Sequence, residues 1–212
     1  MTPLVLEGVR IALGGRALVD ALSLTVGPGE CVTLMGPSGC GKSTLLAYIA
    51  GTLDAAFAAS GSVRIGERDL AQVPPEQRRL GILFQDDLLF PHMSVGGNLA
   101  FALAPHVRSR EARAARVDAA LAEAGLAGFA ARDPATLSGG QRARVALMRT
   151  LLSEPAALLL DEPFNKLDAT LRGEFRSFVY AHAAQRGLPM LLVTHDADDA
   201  PPRGRVIALG TG

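Results

Sequence analysis

Nine residues, Gly36-Pro37-Ser38-Gly39-Cys40-Gly41-Lys42-Ser43-Thr44, narrow the possible folds more than any other part of the chain. They follow the apolar, strand-like run Cys31 to Met35 and open a helical stretch. The glycines let the backbone curl until its N–H groups point inward, and the positive end of the helix dipole falls on the same spot. A loop of this spacing between strand and helix is built to cradle phosphate. Lys42 is placed to reach the β- and γ-phosphates of a nucleotide, and the Ser43 hydroxyl is placed to ligate Mg²⁺. A ligand-free glycine turn would leave that lysine and that hydroxyl without a purpose. Cys40 reads as a small filler at a free loop position, with a redox sensor as the alternative.

Composition excludes several classes of function. The 212 residues are 49% hydrophobic, enough for one globular unit with lobes. Lysine plus arginine and aspartate plus glutamate both number 21, so no basic excess invites nucleic acid or acidic lipid. Two cysteines are too few for a disulfide framework and fit a reducing cytosol. No apolar run approaches the roughly 18 to 20 residues that span a bilayer, and Met1-Thr2-Pro3 does not begin a secretory signal. Any membrane role is therefore expected to come through a partner.

Short, uniformly apolar segments at Cys31 to Met35, Leu80 to Phe84, Ala157 to Leu160 and Met190 to Thr194 predict a parallel sheet covered by helices on both faces. Leu4 to Val9, Leu22 to Val26 and Ser62 to Ile65 lie between Gly-rich turns and predict an antiparallel layer. Ser94 to Leu126 reads as helical, with Val117, Ala120, Leu121 and Ala124 on one face. Arg110, Arg113 and Arg116 read as a solvated face rather than a nucleic-acid stripe. Gly36, Gln85, Asp161 and His195 each stand at or just past a strand end. Open parallel sheets bind ligands there, so the four are expected to converge.

Leu158-Leu159-Leu160-Asp161-Glu162 is a buried strand ending in two carboxylates. Asp161 is suited to Mg²⁺, and Glu162 to accepting a proton from the water that attacks a γ-phosphate. Farther along, Leu137-Ser138-Gly139-Gly140-Gln141 forms an N-capped helix start with two exposed glycine N–H groups.

In that last motif the chain resembles the ABC ATPases. The resemblance covers nearly the whole chain: Gln85 is similar to the family's Q-loop glutamine, Leu167-Asp168 to the end of its D-loop and His195 to its switch histidine. It implies an α/β fold, a P-loop NTPase with a RecA-like parallel-sheet core, an antiparallel β lobe and an inserted helical lobe carrying the LSGGQ signature. One domain is expected over 1–212, with the core and β lobe at about 1–85 and 145–212 and the helical lobe at about 86–144.

The resemblance further implies ATP and Mg²⁺ as cofactors, ATP hydrolysis as the activity and a head-to-tail dimer of two copies. Lys42, Gln85, Glu162 and His195 would be catalytic, and Ser43, Gln85 and Asp161 would serve the metal. Gly36, Pro37, Ser38, Gly39, Cys40, Gly41, Lys42, Ser43 and Thr44 would bind one nucleotide; Ser138, Gly139, Gly140, Gln141 and Asp168 would act on the nucleotide of the other copy.

Phe84-Gln85-Asp86-Asp87-Leu88-Leu89-Phe90-Pro91-His92 is similar to the matching segment of bacterial nutrient-importer ATPases. Gly81 to Asp86 and Asp133 to Leu147 resemble, more particularly, the YnjD-type subunits. Such a subunit implies membrane permease partners, an indirect link to a substrate-binding protein and a place on the cytoplasmic face of the bacterial inner membrane. No nucleic-acid partner is expected. An exporter subunit, or a non-transport ABC ATPase acting on DNA or ribosomes, is the alternative; the latter usually brings coiled-coil arms, zinc modules or tandem cassettes. A small-molecule kinase would leave the signature and His195 unused. Two positions depart from the family pattern: Leu13 falls where an aromatic residue often stacks on adenine, with Arg16 as another candidate for that place, and Asn165 replaces the usual serine.

Overall fold

The structure is a computed structural model that describes residues 2–202 and 204–210. The chain divides into two units, residues 1–82, 156–162 and 180–212 in the first and residues 83–155 and 163–179 in the second.

In the first unit, β1 (Leu4–Leu13), β2 (Arg16–Val26), β4 (Phe57–Ile65) and β5 (Arg68–Asp69) form an antiparallel sheet in the order β2-β1-β4-β5. Register shifts interrupt the β1–β2 ladder between Leu6 and Val9 and again around Ile11. Because the strands continue across these bulges, β1 and β2 run farther than the leucine-rich cores that the sequence marks.

A five-stranded sheet has the order β6-β7-β8-β3-β9, from β6 (Leu80–Leu83), β7 (Ala157–Asp161), β8 (Met190–Thr194), β3 (Cys31–Met35) and β9 (Arg205–Ala208). β3 pairs in parallel with both β8 and β9, and β7 with β8. Every residue of β8 is buried, as are the first four of β3 and β7. That uniform burial is why these strands show no alternation of apolar and polar residues. α1 (Lys42–Ala50) packs on β7 and β8, its Leu45 and Ile49 fully buried. Its C-terminal carbonyls are met by Arg78, whose guanidinium donates to Ile49 O at 2.7 Å and Tyr48 O at 3.1 Å.

The second unit packs α2 (Val95–Phe101), α3 (Arg110–Glu123) and α4 (Gly139–Leu152) against one another. α5 (Ala169–Gln185) begins in this unit and ends in the first. The predicted helical stretch is thus two helices with a break between them. Val117, Ala120, Leu121 and Ala124 are buried as their spacing requires. Arg113 departs from the solvated-face reading, because it donates to Val107 O at 3.1 Å and to Ala100 O, tying α3 to the end of α2. Among the described residues, no helix is long and apolar enough to cross a membrane.

Candidate nucleotide site and signature segment

Gly36 leaves β3, which lies between β8 and β9, and begins the phosphate loop. A Cβ at Gly36 would come within 2.6 Å of Cys40 Sγ and 2.7 Å of the Leu209 carbonyl oxygen, so no side chain fits there. Cys40 is buried as the packing beneath this turn. Gly39 and Gly41 have φ of 81° and 96°, the left-handed backbone that turns the loop into α1. Gly41 is the N-cap of α1; no side chain caps that end, and its first turn carries no acidic residue. An anion is the natural partner for such a helix start.

The Lys42 side chain is only 5% exposed, so its ammonium must find partners inside. It donates to Gly36 O at 2.7 Å and Pro37 O at 3.1 Å, and lies 4.0 Å from Glu162 Oε1. Ser43 Oγ donates to Asp161 Oδ1 at 2.9 Å. Burial pushes the Asp161 carboxyl above its ordinary range; the Ser43 bond opposes this, the neighbouring Glu162 charge adds to it, and Lys42 opposes it. A hydroxyl beside a carboxylate is a hard oxygen pair and fits Mg²⁺ well. Among the described residues no cluster of three His, Cys, Asp or Glu side chains could hold an ion by itself. A small cation at this pair would complete its shell with phosphate oxygens and water.

Glu162 follows β7 with φ of 47°, left-handed backbone in a residue that is not glycine. Such a conformation costs about 1 to 2 kcal/mol and points to a side chain held for use. Its N–H donates to Val193 O at 3.0 Å, and its Oε1 lies 3.2 Å from His195 Nδ1. Thr194, fully buried, anchors the base of His195: its hydroxyl donates to Asp199 Oδ2 at 2.8 Å and accepts from Asp196 N at 3.1 Å. Asp199 was not singled out from the sequence, where it is one of three aspartates in a polar loop without a spacing signal.

The first unit thus brings together Lys42, Ser43, Asp161, Glu162 and His195. The rest of the phosphate loop, Gly36 to Thr44, is in the first unit as well, whereas Gln85, Ser138, Gly139, Gly140, Gln141 and Asp168 lie in the second. Gln85 is exposed just beyond β6. Ser138 caps α4 in a reciprocal capping box: Gln141 N donates to Ser138 Oγ at 3.3 Å, and Ser138 N to Gln141 Oε1 at 3.0 Å. A Cβ at Gly140 would press within 3.2 Å of Leu171 on α5. Asp168 Oδ1 accepts from Thr170 N and Leu171 N at the start of α5. Gln85, Gly139 and Leu167 border one cleft of about 540 Å³.

A glycine-rich loop between strand and helix, a lysine within it, and a hydroxyl bonded to a strand-end carboxylate define a P-loop nucleotide-binding protein. Residues 19–165 match the family described as ABC transporter, and the chain belongs to that family. It is 47% identical over 204 residues to the uncharacterized ABC transporter ATP-binding protein YnjD of Escherichia coli K12, covering 96% of this chain and 94% of that protein. It is 44% identical over 197 residues to the Fe(3+) ions import ATP-binding protein FbpC of Streptomyces avermitilis, covering 92% of this chain and 56% of that one. With the spermidine/putrescine import ATP-binding protein PotA of Pseudomonas aeruginosa UCBPP-PA14 it shares 45% identity over 202 residues, covering 94% and 55%. The chain therefore spans about half the length of those two importer relatives and nearly all of YnjD. ATP-binding subunits of this family are ATPases, and this chain is one by descent.

Proposed function

We propose that the chain powers a bacterial importer, as one half of a head-to-tail pair that closes on ATP beneath a separate permease. The observation that carries this reading is the pair of contact sets Ser43–Asp161 and Lys42–Glu162–His195, on adjacent residues of the loop helix and of the β7 end. In it, Lys42 and the loop N–H groups of Gly36 to Thr44 hold the β- and γ-phosphates. Ser43 and Asp161 would hold Mg²⁺, which would supply positive charge to offset that on the transferred group. Glu162 takes the proton of the attacking water, and His195 keeps that carboxylate aimed. Ser138, Gly139, Gly140, Gln141 and Asp168 serve the nucleotide of the second copy. The whole chain acts as one ABC ATPase domain, with residues 86–144 as its helical lobe.

The import direction is supported by the relatives FbpC and PotA, both named for import. The segment Gln85 to His92 suits permease docking. Leu88 is 55% exposed on a backbone with φ of 48°, while Arg149 donates to Leu88 O at 2.7 Å and Asn98 Oδ1 accepts from Phe90 N at 2.8 Å. The tip is presented on a fixed base. Docking there would keep the chain at the cytoplasmic face of the membrane, linked through the permease to a substrate-binding protein.

The test is co-expression with a multi-span importer permease from the same genome. The wild type should co-purify with that protein and hydrolyse ATP, whereas Leu88→Asp should lose the partner and keep nucleotide binding. Unaltered co-purification of Leu88→Asp would remove this docking surface.

A further inference from the structure

The two acidic residues that follow Gln85 are each held by a cation from a different segment of the second unit. Asp86 accepts from Lys166 Nζ, in the turn that leads into α5. Asp87 Oδ2 accepts from Arg142 Nε at 3.2 Å, in the first turns of α4. Arg142 also donates through Nη1 to Leu137 O at 2.7 Å, directly before the Ser138 cap. All four charged side chains border the same cleft.

These bonds differ in kind. Asp87 is partly buried, and burial pushes its carboxyl up while the bond and charge of Arg142 draw it down. Removing either member of that pair would leave a poorly solvated charge, so its role cannot be separated from folding. Asp86 and Lys166 are 63% and 54% exposed at the side chain, and such a pair adds little to stability. What it adds is geometry, joining positions 80 residues apart in the chain. Arg149 meanwhile donates to Asp87 O at 3.1 Å and to Leu88 O at 2.7 Å, so one side chain ties the exposed Leu88 tip to the backbone of Asp87.

We propose that Asp86–Lys166 and Asp87–Arg142 form a charged clasp that fixes the Gln85 segment, the Lys166 turn and the signature loop in one register. Asp86 and Lys166 are then positioning residues for ATP hydrolysis. The inference rests on the ATPase role above, and it gives the docking segment a route to the signature loop and to Asp168 that does not pass through the phosphate loop.

Hydrogen exchange and steady-state ATP hydrolysis on the full chain test it, using Asp86→Asn, Lys166→Met and the reversed pair Asp86→Lys/Lys166→Asp. Asp86→Asn should raise amide exchange several-fold in residues 164–168, and Lys166→Met should do so in residues 85–88. Each single change should lower kcat several-fold with KM for ATP and Tm unaltered, and the reversed pair should recover both exchange and kcat. Unchanged exchange in the opposite segment, full kcat in the single variants, or a reversed pair no better than either would each overturn the clasp. A wild type no faster than Glu162→Gln would instead overturn the ATPase role, and hydrogen exchange would still decide the clasp.

Discussion

His195 and Glu162 meet across the ends of adjacent strands, Nδ1 to Oε1 at 3.2 Å, and the same carboxylate oxygen lies 4.0 Å from the Lys42 ammonium. β7 and β8 are paired with Asp161 opposite Val193, so one residue beyond each strand the two side chains face each other. Glu162 is thereby held between the Lys42 ammonium and an imidazole, and it is the proton acceptor of the proposed reaction.

Glu162→Gln should lower kcat by roughly 10² to 10⁴, the usual worth of a positioned base, with ATP affinity retained. The amide keeps the shape but cannot take the proton. Light scattering should then find a doubled mass with ATP and a single mass without it. Near-normal turnover would remove Glu162 from this role.

Lys42→Ala should act on binding instead. It deletes a buried ammonium whose partners are two loop carbonyls and Glu162, and it leaves the phosphates without their cation. Titration with a fluorescent ATP analogue should find affinity lost, in contrast to Glu162→Gln. Equal affinity in the two variants would contradict the assignment.

Asp161→Asn should raise stability while weakening Mg²⁺-dependent nucleotide binding. Burial lifts the folded carboxyl above its ordinary value of 3.8, so the folded state holds its proton longer than the unfolded state does. Wild-type stability therefore falls as pH rises through the window above 3.8, and the deficit persists at neutral pH. Asparagine has no such deficit and can still accept from Ser43. Denaturant melts should place the variant above wild type at pH 7, with the gap closing toward acid; a variant less stable at pH 7 would refute this.

Leu13→Tyr should tighten nucleotide binding and sharpen the choice of ATP over GTP. Leu13 ends β1, is 43% exposed and pairs with Arg16 and Phe57 on either side. An aromatic ring there would add a stacking face worth about 1 kcal/mol or more, roughly fivefold in affinity. Strong ATP preference in the wild type, unchanged by the substitution, would place the base elsewhere.

Local chemistry was the part most legible in the sequence. Ser138 and Gln141 cap one another because three residues separate them, and that spacing is visible without a fold. Strands β3, β7 and β8 were legible from their unbroken apolar runs. What escaped reading depends on partners far along the chain or in the next element. Arg113 shares its helical spacing with Arg110 and Arg116, yet the carbonyls it meets belong to Ala100 and Val107, which helical periodicity does not reveal. Arg78 lies in a polar stretch but closes the end of α1, and Lys166 looked like any surface lysine until the turn before α5 brought it to Asp86.

The sheet order also governs when the site can exist at all. The strand that carries the phosphate loop is among the first made, but both of its neighbours, β8 and β9, come from the far end of the chain. Until residue 190 has emerged, β3 has no sheet partner, and until Leu209 arrives the turn at Gly36 lacks the wall that a Cβ there would strike. A nascent chain on the ribosome therefore carries β3 without its sheet neighbours for most of its synthesis. A chain released before residue 190 would carry the whole Gly36 to Thr44 motif on a strand without its sheet neighbours.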